Sequence, residues 1–77
     1  MRQEISIAQL GVGNQGTIVR FDDQAIAQKL ICMGLLPGKR VAVVRSAPFS
    51  GGFYLKVDGH RIAVREYEAE SVIINCD

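Results

Sequence analysis

The chain has no tryptophan, one histidine, two cysteines and two prolines, and only 6% of its 77 residues are aromatic. Each scarcity excludes a class of function. A single histidine, His60, is too little for most hydrolytic triads, and Ser6, Ser46, Ser50 and Ser71 all lack the G-x-S-x-G context of a nucleophile elbow. Cys32 and Cys76 are neither a C-x-x-C pair nor a zinc ribbon, and a disulfide between them is not expected in a reducing cytosol. A transition-metal site made from His60, Cys32 and Cys76 would have to be gathered from scattered positions. Without tryptophan or clustered aromatics, no groove for proline-rich peptides can be read. No apolar run approaches the roughly 18 residues of a membrane span. No basic start leads into an apolar run and a small-residue cleavage site, so the expected compartment is the cytoplasm, with no membrane insertion. The length excludes a TIM barrel, which needs about 250 residues.

What remains is a globular composition, 48% hydrophobic and 22% charged. One small domain over residues 1–77 is expected, without linker, repeat or low-complexity tract. The net charge is +1, but it is unevenly spread. Between positions 39 and 65, Lys39, Arg40, Arg45, Lys56, Arg61 and Arg65 face only Asp58, whereas the end of the chain carries Glu66, Glu68, Glu70 and Asp77. Such a chain can present a bipolar surface, although solvated outer strand faces also account for it.

Turn residues recur at the spacing of a small all-β domain. Ser6 can cap one helical turn, Ile7 to Leu10, which Gly11 ends. TIVRF, Thr17 to Phe21, reads as a strand with Thr17, Val19 and Phe21 on one face and Ile18 and Arg20 on the other. Asp22 is the expected cap of a helix from Asp23 to Met33, with Ile26, Ala27, Leu30 and Ile31 as its apolar stripe and Gly34 as its left-handed stop. Cys32 reads as a small buried residue of that helix. Pro37-Gly38 fits the centre of a type II turn. Arg40–Ser46 has two largely apolar faces and predicts a well-buried central strand. Phe53–Val57 alternates, with Phe53, Leu55 and Val57 inward; Asp58-Gly59 is a hairpin turn, and His60–Arg65 is its return strand. Glu68 to Ser71 predicts one turn, and Val72 to Cys76 closes as a strand. The sum is five short strands meeting edge to edge in a small barrel, with one α-helix between the first two.

Residues 11–16, GVGNQG, match G-x-G-x-x-G, but a strand follows where a dinucleotide site needs a helix N-terminus. The glycines read instead as an entry turn that permits close packing. Glu66, Glu68 and Glu70 read as a solvated acidic turn, since no calcium-loop spacing surrounds them. Tyr54 beside Lys56 is the one aromatic–basic pairing of the kind a nucleic-acid platform uses, and +1 overall is too little for that reading.

The ordered set Leu10, Gly16, Val19, Leu30, Met33-Gly34, Leu36-Pro37-Gly38, Val41, Val43-Val44, Ala47-Pro48, Val57, Gly59, Ile62-Ala63-Val64-Arg65, Glu68-Ala69 and Val72 resembles the FeoA family. Within it, L-x-x-M-G-L-x-P-G and A-V-R-x-x-E-A are the most specific pieces. The resemblance implies an SH3-like β-barrel, a cytoplasmic accessory role in bacterial ferrous-iron transport, no catalytic residues, no cofactor, and action on the membrane transporter FeoB. It departs from the family at Phe49-Ser50-Gly51-Gly52-Phe53, where the family commonly has a proline.

A small β-barrel acts by presenting surfaces. The segment from Leu30 to Gly38 crowds Leu30, Met33, Leu35 and Leu36 around a helix end, more apolar volume than so small a core easily takes. Together with Pro37, Lys39 and Arg40 these residues form the expected partner surface; the alternative is that all four apolar side chains belong to the core. The runner-up functions are a nucleic-acid-binding barrel and a metal-binding sensor or carrier.

Overall fold

A computed structural model describes residues 3–76; residues 1, 2 and 77 of the expected domain lie outside the described residues. Nine elements follow in chain order: β1 (Gln3–Ser6), α1 (Ile7–Leu10), β2 (Gln15–Phe21), α2 (Gln24–Cys32), β3 (Arg40–Ser46), β4 (Phe53–Val57), β5 (His60–Val64), α3 (Glu66–Ser71) and β6 (Val72–Cys76). A 3-10 turn, Pro48–Ser50, sits between β3 and β4. The strands form one antiparallel sheet in the order β1-β6-β2-β3-β4-β5. The core is a single cluster in which Ile7, Ile18, Leu30, Leu35, Leu55 and Ile74 are the largest fully buried side chains.

The expected all-β class holds, with six strands where five were expected. The added strand is β1, which pairs with β6 from Gln3↔Cys76 to Ser6↔Ile73. Its sequence, QEIS, has one apolar residue and so no alternation to detect. The long helix therefore lies between the second and third strands, not the first two. Its cap is Asp23, whose carboxylate accepts from the Ala25 N–H at 2.9 Å. Asp22, the expected cap, instead donates its N–H to the Ser71 carbonyl at 2.8 Å and pairs with Arg20 at 3.3 Å.

Two β-bulges overturn the simple alternation read from the sequence. In β2 the register with β6 shifts between Ile18 and Arg20. Val19 is the extra residue, so Ile18 and Phe21 both face the core instead of opposite sides. In β3 the register with β4 shifts between Val43 and Arg45, leaving Val44 unpaired and exposed. Val41 and Val43 are buried as expected, but the other face of β3 is open to solvent, so β3 is central in the sheet without being buried on both sides.

The Asp58-Gly59 turn has φ of 51° and 80°, the type I′ geometry that its sequence predicts. Gly16 is required by close approach: a Cβ there would lie 2.5 Å from the Asn75 carbonyl oxygen of β6. Gly52, at φ +122°, is required twice over, because a Cβ would also collide with the Val64 carbonyl oxygen.

Candidate functional site

The end of α2 is a Schellman motif. The Gly34 N–H donates to the Ile31 carbonyl at 3.0 Å, and the Leu35 N–H donates to the Leu30 carbonyl at 3.0 Å, with Gly34 at φ +101°. The motif brings Leu30 and Leu35 together, and both are fully buried. They are therefore core residues and are removed from the expected partner surface. The signal was legible: an apolar residue four before the glycine and another just after it make the usual hydrophobic pair of this motif.

The turn that follows is fixed at both ends. The Lys39 N–H donates to the Leu36 carbonyl at 3.1 Å, and Gly38 has φ +92°, as a type II turn requires. The Gly38 N–H reaches the Ile18 carbonyl at 2.7 Å, and the Ile18 N–H reaches the Lys39 carbonyl at 2.9 Å, so β2 clamps the turn. What this corner shows to solvent is Ile31, 41% exposed, Leu36, 38% exposed, the exposed Pro37 and the half-buried Met33. Ile31 was expected in the buried stripe of α2; Ala27 and Leu30 are buried there, Ile26 is half-buried, and Ile31 points out. Cys32 likewise is exposed instead of buried. Lys39 is tied to Asp58 at 2.5 Å, and Arg40 donates to the Thr17 hydroxyl at 3.3 Å. Of the seven expected partner residues, Met33, Leu36, Pro37, Lys39 and Arg40 thus remain accessible.

Behind the corner lies a residue that sequence reasoning placed wrongly. Glu68 is 2% exposed, not part of a solvated acidic turn. Its Oε1 accepts from the Arg65 N–H at 2.8 Å, the reach-back contact of a helix N-terminus. Its Oε2 meets Lys29 Nζ at 2.6 Å, joining α2 to α3. Burial pushes the carboxyl up, but the Lys29 ammonium and the Arg65 N–H outweigh it and hold Glu68 below the usual carboxylate range. The same contact raises Lys29 above the ordinary lysine value. The usual sequence signature has Ser, Thr, Asp or Asn at the cap; here the cap is Arg65, so nothing announced the buried glutamate.

The GVGNQG segment is a glycine turn, with Gly11 at φ 90° and Gly13 at φ 89°, and it leads into β2. The Gly13 N–H is spent on the Val43 carbonyl at 2.8 Å. Among the described residues no three or more His, Cys, Asp or Glu side chains gather, and no helix is long and apolar enough to cross a membrane. His60 is exposed at the hairpin end.

Among the described residues, six short antiparallel strands and three small helices define an SH3-like β fold. The FeoA-domain family model matches residues 5–76, and the chain belongs to the FeoA family. It is 30% identical to a crystal structure of an iron uptake regulatory protein, FeoA, with a TM-score of 0.82 over 94% of both chains. The FeoA of Stenotrophomonas maltophilia, solved complexed with zinc and described as a prokaryotic SH3 domain protein, is 25% identical, with a TM-score of 0.77 over 91% of this chain and 88% of that one. A curated relative, the Fe(2+) transport protein A/Fe(2+) transporter FeoB fusion protein of Porphyromonas gingivalis, is 28% identical over 67 residues. The match spans 86% of this chain and 8% of the fusion protein.

Proposed function

We propose that the chain is a non-catalytic, cytoplasmic accessory domain that binds and regulates a FeoB-type ferrous-iron transporter. The observation that carries this reading is the fusion of a related domain to such a transporter in one polypeptide. Fusion holds two modules at high effective concentration, an arrangement that favours partners which already meet. The helix-end corner supplies the contact: Ile31, Met33, Leu36 and Pro37 form its apolar part, Lys39 and Arg40 lie alongside, and Leu30 and Leu35 fix it from behind. Apolar groups on a pre-formed corner lose little entropy on binding.

The test is retention of a purified FeoB-type transporter by the immobilised chain. Wild type is expected to retain it, and Leu36→Asp to weaken retention by about 2 kcal/mol while staying folded. No retention by wild type overturns the function; normal retention by folded Leu36→Asp overturns the surface. Anaerobic calorimetry with Fe²⁺ and with GTP is expected to show no saturable heat in the micromolar range, roughly −8 kcal/mol. Clean one-site binding of either would make the chain a carrier or sensor instead.

A further inference from the structure

The outer face of β3, β4 and β5 carries a charge arrangement that the fold does not need. Lys56 and Arg61 are directly opposite each other on β4 and β5, and like charges in that position destabilise a sheet. Arg45 lies one strand away, opposite Tyr54, with its guanidinium 5.2 Å from the ring centroid. All three cations are exposed, and none makes an ion pair among the described residues. The register places Ala42 and Ala63 on the same face, so no carboxylate stands among the paired residues of β3, β4 and β5 there. Between Arg45 and Arg61 lies a depression of about 380 Å³ lined also by Val44, Tyr54 and Leu55. The bulge is what puts Val44 there.

The same face ends on an edge. β5 is the last strand of the sheet. Val57 and His60 flank a two-residue turn, so they form a hydrogen-bonded pair, and by alternation Arg61 and Ala63 turn their N–H and C=O groups away from β4. None of those groups has a backbone partner among the described residues.

We propose that this face and edge bind an extended acidic segment of a partner protein. Its main chain would add to β5, its carboxylates would meet Arg45, Lys56 and Arg61, and one apolar side chain would fill the Val44–Tyr54 depression. A bound carboxylate relieves the Lys56–Arg61 repulsion, which gives the unbound sheet its cost and the complex its gain. Charge complementarity selects acid; the apolar depression and the open edge select peptide over nucleic acid, whose binding needs a broader positive field than a chain of net charge +1 supplies. The inference is independent of the transporter reading, because it uses none of the corner residues.

The experiment is an NMR titration of the whole chain with a blocked peptide alternating glutamate and leucine, beside its lysine–leucine counterpart and a short oligothymidine. The acidic peptide is expected to shift Tyr54, Lys56 and the amides of Arg61 and Ala63 saturably, and the lysine peptide to shift none of them. Lys56→Glu is expected to weaken the acidic peptide about tenfold. The same change is expected to raise Tm by about 2–4 °C, because it converts the like-charge pair into an ion pair. Arg61→Glu should do the same from the other strand. Absence of saturable shifts, shifts confined to other surfaces, tighter binding of oligothymidine at these residues, or a Lys56→Glu protein that binds the acidic peptide normally would each overturn the proposal.

Discussion

At the helix-end corner, neighbouring apolar residues divide between core and solvent: Leu30 and Leu35 are fully buried while Ile31 and Leu36 beside them are exposed. On the outer face of β3–β5 there is no such division, since Arg45, Tyr54, Lys56 and Arg61 all stand outside the core. The corner is shaped by the same contacts that fold the domain. The face is shaped by register alone and could change its side chains with little effect on folding. At the two proposed surfaces recognition is therefore entangled with stability in one case and separable from it in the other, and a single substitution has different meanings in the two places.

The largest test of that contrast is Leu35→Asp. Losing a fully buried leucine and burying a carboxylate should cost about 4 kcal/mol or more. That is comparable with the whole stability of so small a domain, roughly 4–12 kcal/mol. The expected outcome is loss of the far-UV circular dichroism transition, and a folded Leu35→Asp protein would show that the corner is not built as described. Next in size is Gly52→Ala, at about 3 kcal/mol, because its backbone is left-handed and the added methyl meets the Val64 carbonyl. It marks where the frame behind the face does become structural, and a thermal melt within a few degrees of wild type would contradict it.

Acid should separate the two surfaces. Glu68 ionises more readily in the folded chain than in the unfolded one. Its stabilisation is thus present above the ordinary carboxylate value, near about 4.3, and is lost as pH falls through the folded value. Lys29 stays charged throughout that range, so the Glu68 proton alone breaks the tie between α2 and α3. Amide protection over residues 29–34, with the pH dependence of the intrinsic exchange rate divided out, is expected to fall on acidification, with Tyr54 to Ala63 less affected. Glu68→Gln should cost about 1.5–3 kcal/mol at neutral pH and should flatten the acid limb of stability. An unchanged acid limb in that variant would sink the assignment. The smallest effect belongs to Leu36→Asp, which should alter stability by less than about 0.5 kcal/mol. A larger loss would mean that Leu36 is as structural as Leu35.

Much of this was open to reading. Asp58-Gly59 announced the hairpin, Gly34 and Pro37-Gly38 announced the helix exit, β3 followed from its two apolar faces, and β4 and β5 followed from alternation. What escaped was whatever broke a period. Each bulge adds one residue, so the faces of Thr17–Phe21 were assigned with the wrong parity and Val44 was credited to a buried side. Glu68 escaped because its burial depends on Lys29, far away in sequence, and on a cap that is not a capping residue type. At the corner the Leu30–Gly34–Leu35 spacing already marked the core pair, and the hydrogen-bond pattern of the Schellman motif bears it out. The basic excess between positions 39 and 65 was visible as composition; the direct opposition of Lys56 and Arg61 needed the hairpin register, which the two-residue turn already implied.

The unpaired residue of β3 also decides what this strand can afford to lose. At any other position a deletion would shift the reading frame of the ladder and turn the remaining inward side chains outward. Val44 is supernumerary: without it, Val43 still faces Leu55 and Arg45 still faces Tyr54. A related chain shorter by that one residue would keep its core and its cations while losing the apolar floor between them. Gain or loss of a single codon thus offers a route by which such domains can acquire or shed the proposed binding surface without redesigning the fold.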